Sequence, residues 1–196
     1  MKTELHCHTT LSDGATGMED LFRFAKLGGI DNLAITDHDT IDGYDQALVL
    51  AGKYGIRLIP GVEISTFDYS CNRRVHMLCY YYQDRELLNR FLHRIQENRR
   101  VTAQRMLEKV SHEIPISIPT VREYAKDSFC VFKQHIMRTL IDMGYTNEMY
   151  GPLFKQLFDA KTGSCYMTPT FPDVYETLEV IRQAGGLAGM AHPSEY

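Results

Sequence analysis

Residues 1–83 alternate between short apolar segments and longer segments with helical periodicity. In the first of the longer segments, Met18, Leu21, Phe22 and Ala25 recur at the spacing of one helix face. A chain that repeats strand, loop and helix in this order folds as an α/β sheet or barrel. The same rhythm returns near the end of the sequence. The predicted strands are 3–6, 32–36, 57–60, 75–81 and 187–191.

Residues 84–165 have a different character, because helical patterns dominate there. A long helix is predicted over 84–113, and shorter helices are predicted over 131–143 and 148–159. We therefore predict an α/β domain, built as a parallel sheet or a barrel from residues 1–83 and 166–196. A helical insertion at 84–165 interrupts it.

The composition narrows the classes of function. The 196 residues carry a formal net charge of −4, whereas proteins that coat nucleic acids usually carry a basic excess. No apolar run reaches about 18 residues, the length that crosses a membrane, and the first residues lack the pattern of a signal peptide. Five cysteines without a CxxC pair indicate free thiols in a reducing compartment. The sequence predicts a cytoplasmic protein with no membrane partner.

Histidines and carboxylates occur where the predicted strands end. His6 and His8 are two residues apart on a strand, so both imidazoles point to one side and can bind one ion. Each such residue alone has an ordinary explanation, since an aspartate can form a turn and a histidine can be bonded within the core. Their recurrence at four successive strands favours a metal cluster. The further candidates are Asp13, His38, Glu63 and His76.

Several long segments carry a family resemblance. HCHTTLSDG, ITDHDTIDG, IPGVEIS and VHMLCYY resemble the first motifs of the PHP (polymerase and histidinol phosphatase) family. FKQHIMRTLIDMGY and GLAGMAHPSEY resemble the insertion motif and the resuming barrel strand of its branch of 3′,5′-nucleoside bisphosphate phosphatases and RNA 5′-end exonucleases. The resemblance implies a distorted (β/α)7 barrel with a helical insertion and two to three divalent metal ions, with Mn, Fe and Zn as candidates. The implied ligands are His6, His8, Asp13, His38, Glu63, His76 and His135, with Glu63 bridging two ions.

The implied activity is metal-dependent hydrolysis of phosphomonoesters or phosphodiesters of nucleotides, or of short RNA or DNA ends, by a metal-activated hydroxide. Glu63 would be catalytic through its bridging charge. His192 would contact the phosphate or protonate the leaving group, and Lys133 and Arg138 would bind phosphate. The last three also fit structural roles, as exposed helix charges or as a strand-end histidine bonded to the backbone.

The sequence departs from this branch at two points. Branch members normally continue past the AHP strand to an Asp-x-His motif that supplies one ligand each to the first and second metal sites, whereas this sequence ends at Tyr196. The barrel would then be incomplete at its C-terminal side, and exposed sheet edges would favour a homodimer. Lys133-Gln134 stands where the branch has Arg-Pro, which removes a bidentate guanidinium.

Other functions stay open at this stage. A histidinol-phosphate-type phosphatase shares the motifs, although the helical insertion favours the nucleotide branch. A non-catalytic metal-binding or regulatory module is open because the C-terminal ligands are missing. The arginines of 84–113 suggest a nucleic-acid-binding face, but acidic residues alternate with them, which indicates a solvated helix face. These arginines are Arg85, Arg90, Arg94, Arg99, Arg100 and Arg105.

Overall fold

The computed structural model describes residues 1–195. Contacts divide the chain into two compact units, one of Met1–Gln96 with the residues from Phe171 onward, and one of Glu97–Thr170. The separate insertion at 84–165 remains a prediction, because the long helix at its start contributes residues to both compact units.

The elements are β1 (Thr3–Cys7), α1 (Met18–Leu27), β2 (Asn32–Ile35), α2 (Tyr44–Tyr54), β3 (Arg57–Asp68), β4 (Arg73–Tyr80), α3 (Arg85–Glu113), α4 (Ile118–Tyr124), α5 (Lys133–Asp142), α6 (Pro152–Phe158), α7 (Val174–Gln183), β5 (Leu187–Met190) and a 3₁₀ turn (Pro193–Glu195).

The first unit is built on a mixed sheet with the strand order β1-β2-β3-β4-β5. β1, β2 and β3 are parallel, whereas β4 is antiparallel to both β3 and β5. The predicted α/β class is therefore confirmed. Among residues 1–195 the sheet has five strands, and β1 and β5 lie at its two ends. A closed seven-stranded barrel is not formed by this part of the chain.

The sheet curves so that distant strands meet. The Tyr80 hydroxyl, at the end of β4, donates to the Leu5 carbonyl of β1 at 2.8 Å. The ring of His6, which lies on β1, and the ring of His192, which follows β5, have centroids 5.9 Å apart. Curvature of this kind gathers side chains from all five strands on one concave side.

The third strand is longer than the sequence pattern predicts. It extends to Asp68 instead of ending at residue 60, so Glu63 lies inside β3 and the prediction that it follows this strand is wrong. The cause is a long antiparallel ladder with β4, in which Glu63 pairs with Leu78 and Ser65 with His76. His76 therefore also lies within its strand.

Two apolar clusters hold the first unit together. α1 and α2 pack against β2, with Phe22, Leu33 and Leu50 in contact. α7 and the first half of α3 pack against β3 and β4 through residues such as Leu92 and Ile181. All four residues of β2 are buried, as expected for a central strand covered on both faces.

The second unit has its own core. The second half of α3 and the helices α4, α5 and α6 contribute Leu107, Val121, Ile136 and Leu157, each of which is at most 1% exposed. Helices α4 and α5 are connected by residues 125–132. No helix within residues 1–195 has the length and apolar character needed to cross a membrane.

Several arginines of α3 are paired with carboxylates on the protein surface. Arg90 binds Glu86 at 2.6 Å, Arg85 binds Asp45 at 3.0 Å, and Arg100 pairs with Glu97. Exposed pairs of this kind contribute about 0–1 kcal/mol each. They support the solvated helix face that the alternating charges predict.

Candidate metal centre

Glu63 lies at the focus of five imidazoles on the concave side of the first unit. Its side chain is 2% exposed, and both carboxylate oxygens face histidines. Oε2 lies 3.0 Å from His6 Nε2, 3.0 Å from His8 Nε2 and 3.4 Å from His38 Nδ1. Oε1 lies 3.0 Å from His76 Nδ1 and 3.0 Å from His192 Nε2.

Asp13 extends this group on one side. One of its oxygens lies 3.2 Å from His8 Nδ1 and the other 3.8 Å from His38 Nε2. The donor atoms form three overlapping sets, and within each set they lie no more than 4.8 Å from one another. The sets are His6, His8 and Glu63; His8, Asp13 and His38; and His38, Glu63 and His76.

The donor chemistry fits divalent metal ions. A carboxylate offers about four lone-pair positions in total, so Glu63 cannot satisfy five converging imidazoles well by hydrogen bonds alone. Cations placed between the carboxylate and the rings would use every donor, since imidazole and carboxylate are common ligands of Zn, Fe and Mn. Because His8, His38 and Glu63 each belong to two of the three sets, the geometry suits neighbouring ions.

Local backbone geometry aims these side chains. His6 lies on β1 and His8 follows it, so their rings share one side while Cys7 between them packs into the core with α1 and α2. Burial raises the pKa of the Cys7 thiol to about 11, with further repulsion from Glu4 and Asp37. The thiol therefore stays protonated and apolar in behaviour.

Two buried aspartates hold the loops that carry the ligands. Asp37 accepts hydrogen bonds from the Thr9 backbone N–H at 2.7 Å, the Thr9 hydroxyl at 2.7 Å and the Ser12 hydroxyl at 2.6 Å. These contacts fix the loop between His8 and Asp13. Burial raises the pKa of Asp37, and the hydrogen bonds from Ser12 and Thr9 oppose that shift.

Asp39 plays the same part beyond His38. It adopts φ +55°, a left-handed conformation that aspartate tolerates better than most residues. Its carboxylate accepts from the Ser65 N–H at 2.7 Å and from the Ser65 hydroxyl at 2.9 Å, which ties the His38 loop to β3 beside Glu63.

The charges of the centre are strongly coupled in the metal-free protein. Burial disfavours the charged form of Glu63, but hydrogen bonds from His6, His76 and His8 outweigh burial and hold its pKa far below the usual range. For His8, burial also disfavours the charged form, yet hydrogen bonds with Asp13 and Glu63 raise its pKa to about 10. The centre thus favours positive charge around its two carboxylates.

His192 is the ligand candidate that the sequence pattern did not assign. The pattern predicts a phosphate contact or proton donor, whereas the structure brings its Nε2 to Glu63. It lies two residues after the end of β5, with φ +30°. The signal was available, because a polar residue at a strand end is the same feature that singles out His38.

The remaining predicted residues lie in the second unit. His135 is buried near the start of α5. Lys133 places its ammonium 4.7 Å from the Tyr166 ring, and Arg138 places its guanidinium 5.5 Å from the Tyr124 ring. Their roles toward metal and phosphate stay predictions.

Comparison with known proteins gives the family. The family model described as the PHP domain matches residues 4–181. The chain belongs to the PHP domain family. This PHP chain is 30% identical over its full length to a phosphoribosyl 1,2-cyclic phosphate 1,2-diphosphodiesterase of Eggerthella lenta, covering 75% of that protein. It is 33% identical to a 5′-3′ exoribonuclease of Haemophilus influenzae, covering 100% of this chain and 70% of the relative.

Solved structures agree with this membership. A protein of Bifidobacterium adolescentis described as a metal-dependent phosphoesterase superposes with a TM-score of 0.89 at 28% identity, covering 98% of this chain and 67% of that one. An amidohydrolase of Chromobacterium violaceum, with bound sulfate and no metal, gives a TM-score of 0.90 at 25% identity, covering 100% of this chain and 68% of that one. Membership and the histidine–carboxylate clusters together indicate a divalent metal centre.

Proposed function

We propose that this PHP chain is a metal-dependent phosphoesterase that hydrolyses phosphate esters of nucleotides or short oligonucleotides. The observation that carries the proposal is the convergence of five imidazoles on the buried carboxylate of Glu63, with Asp13 beside them. A structural core rarely gathers so many ionisable groups around one carboxylate. Perturbed, clustered groups of this kind are typical of functional sites.

The proposed cofactors are two to three divalent ions, with Mn, Fe or Zn as candidates. We assign as ligands His6, His8, Asp13, His38, Glu63 and His76, and we add His192. Such ions supply positive charge that neutralises a phosphate ester and acidifies water. Glu63 has the geometry of a bridge, because its two oxygens face different histidines.

The protein's own groups then have distinct tasks. Glu63 keeps its negative charge at all physiological pH values and holds the cations in place. The most exposed rings are those of His6 and His192, at 29% each, so substrate would approach on their side. Asp37 and Asp39 keep the ligand loops in position from behind. Lys133 and Arg138 are proposed to bind substrate phosphate.

The substrate class rests on the relatives. Their names cover a cyclic phosphodiester, RNA chains and, for a Chromobacterium violaceum relative at 29% identity, 3′,5′-nucleoside bisphosphates. All of these are phosphate esters of ribose or a nucleoside. A nucleotide-type substrate is therefore proposed ahead of histidinol phosphate. Cytoplasmic location and a homodimer stay predictions.

The test measures metal and turnover in one preparation. Metal analysis of the purified chain is expected to find at least one equivalent of Mn, Fe or Zn. Phosphate release or bond cleavage is then measured with Mn²⁺ on a 3′,5′-bisphosphate, a ribose cyclic phosphate, a 5′-phosphorylated oligoribonucleotide and histidinol phosphate. Bound metal without turnover of any member of this panel would instead favour a non-catalytic metal-binding module, and absence of metal would refute the centre.

A further inference from the structure

The strand that carries His6 has one residue more than its neighbour requires. The register of β1 against β2 shifts between Glu4 and Cys7, so that Leu5 and His6 lie opposite the single residue Ala34. An extra residue of this kind forms a β-bulge, which bends the strand and re-aims the side chains beside it. Bulges are over-represented next to active sites for that reason. His6 thus reaches the metal centre from an irregular part of β1.

Two side chains bind the peptide unit at this bulge. The Tyr80 hydroxyl donates to the Leu5 carbonyl at 2.8 Å. The His6 N–H donates to Glu4 Oε1 at 3.1 Å. The Leu5 carbonyl and the His6 N–H belong to one peptide bond, which is planar, so rotation of that plane would break both contacts. Tyr80 and Glu4 therefore fix the orientation of the peptide, and with it the direction of the Cα–Cβ bond of His6.

Tyr80 reaches β1 from across the concave side of the sheet. It is the last residue of β4, and β2 and β3 lie between β4 and β1 in the strand order. A Cβ placed on Gly61 of β3 would lie 3.4 Å from Cδ1 of the Tyr80 ring, and one placed on Gly189 of β5 would lie 3.8 Å from Cε2. The ring therefore lies over both neighbouring strands. Gly61 precedes Glu63 by two residues on β3, so the ring and the carboxylate of the centre share one face.

We propose that Tyr80 and Glu4 are positioning residues, which hold the β-bulge and thereby aim the His6 ring at the metal centre. The proposal rests on the proposed function, because it takes His6 as a metal ligand. The His6 side chain is 29% exposed, whereas that of Glu63 is 2% exposed. Packing restrains His6 less than it restrains Glu63, so the backbone contacts matter more for His6. A ligand that is displaced by more than about 0.5 Å no longer has productive geometry.

Tyr80→Phe removes the hydroxyl and keeps the ring. Nuclear magnetic resonance on ¹⁵N-histidine-labelled protein then reports on His6, first without metal and then during addition of Zn²⁺. We expect the His6 ring signals to shift while those of His76 stay, and the dissociation constant for Zn²⁺ to rise about ten- to a hundredfold. Tyr81→Phe, at the adjacent and 41% exposed tyrosine, is the matched control. His6 signals or a Zn²⁺ affinity equal to those of Tyr81→Phe would overturn the role of Tyr80.

A pair of variants at Glu4 separates positioning from charge. Glu4→Gln keeps an oxygen that can accept from the His6 N–H, whereas Glu4→Ala removes it. We expect Glu4→Gln to keep the Zn²⁺ affinity and the His6 signals of the unmodified chain. Glu4→Ala should weaken Zn²⁺ binding about tenfold and speed hydrogen exchange at the His6 amide. Equal losses in the two variants would show that the charge of Glu4 acts, and equal retention would show that Glu4 does not act; either result would overturn its positioning role.

The signals of the metal-free protein separate this proposal from the proposed function. Absence of bound metal in the unmodified chain would refute the proposed function, while the His6 signals of the metal-free variants would still decide whether Tyr80 and Glu4 set the ring direction. A role in stability alone would lower the Tm of Tyr80→Phe without moving the His6 signals relative to those of His76, and would overturn the proposal. The Glu4 variants remain decisive where Tyr80→Phe fails to fold.

Discussion

His192 Nε2 lies 3.0 Å from Glu63 Oε1, although 129 residues separate them in the chain. The contact links the turn after β5 to the middle of β3, and it adds a fifth imidazole to the centre. A ligand role predicts that His192→Asn loses bound metal, because one donor atom disappears. We expect metal content to fall, as measured by elemental analysis after gel filtration. His93→Asn, an exposed histidine on α3, is the control. Full metal occupancy with a lower kcat would instead support the proton-donor role predicted from the sequence.

Glu63→Gln should abolish hydrolysis. The substitution keeps the size of the side chain but removes the negative charge that five imidazoles share. We expect kcat to fall at least about a thousandfold, equivalent to about 4 kcal/mol of lost transition-state stabilisation. Phosphate release and metal content are measured together, and Glu86→Gln on the exposed face of α3 is the matched control. Near-normal turnover in Glu63→Gln would refute the assignment of the bridge.

The sequence predicts the parts of this centre that depend on local geometry. His6 and His8 share a strand face because of the two-residue period, and His38 follows a buried strand. The sequence also marks Glu63 as a candidate. It does not predict that Glu63 lies inside a strand, because the long β3–β4 ladder is a tertiary feature. The position of His192 after a predicted strand marks it as a candidate, but its contact with Glu63 depends on a φ of +30°, which no local pattern specifies.

In the fold, too, the sequence predicts the features that depend on local patterns and not those that depend on tertiary contacts. The α/β class and the helical stretch at 84–113 come from periodicity and are confirmed by the structure. The antiparallel direction of β4 and β5 could not be read from the pattern, since an alternating strand looks the same in both directions. The supporting roles of Asp37 and Asp39 were also missed, because an aspartate beside a histidine gives no sign of which backbone group it will bind.

Metal binding should release protons and strengthen with pH. Hydrogen bonds with Asp13 and Glu63 raise the pKa of His8 to about 10 in the metal-free protein, so its imidazole is protonated at pH 7. A metal ion can bind a ring nitrogen of His8 only after that nitrogen has lost its proton. We expect Zn²⁺ affinity to rise about tenfold per pH unit for each proton displaced, up to that pKa. Calorimetry in two buffers of different ionisation enthalpy measures the release, and identical heats in both would contradict it.

The same shift makes the stability of the metal-free chain depend on pH. His8 has a folded pKa of about 10 and an ordinary value of 6.5, so the folded state binds this proton more tightly. Its contribution to stability is complete below pH 6.5 and is lost as pH rises through 10. Thermal unfolding in the presence of a chelator should therefore show a falling Tm between pH 7 and 10. A constant or rising Tm across this window would count against the paired, protonated His8.

Asp37→Asn should destabilise the first unit and loosen the loop that carries Asp13. An asparagine offers one acceptor oxygen to three donors and turns its own N–H groups toward them. We expect a loss of about 1–3 kcal/mol in the free energy of unfolding, measured by urea denaturation with a chelator present. Asp42→Asn, at an exposed position in the same β2–α2 loop as Asp37, should have little effect. Equal stability of the two variants would show that Asp37 does not hold the loop.

Gly14→Ala tests whether the His8–Asp13 loop needs its close packing. A Cβ at residue 14 would lie 2.6 Å from the His8 carbonyl oxygen and 2.8 Å from that of Thr9, and both are backbone atoms that cannot turn aside. The loop must therefore move, which separates Asp13 from His8 and His38. We expect metal content to fall and unfolding to become easier by about 1–3 kcal/mol, as for other overpacked sites. Gly17→Ala is the matched control, because a Cβ there meets nothing within 4 Å. If Gly14→Ala kept the metal content and stability of Gly17→Ala, the loop geometry described here would not be what sets the distance between His8 and Asp13.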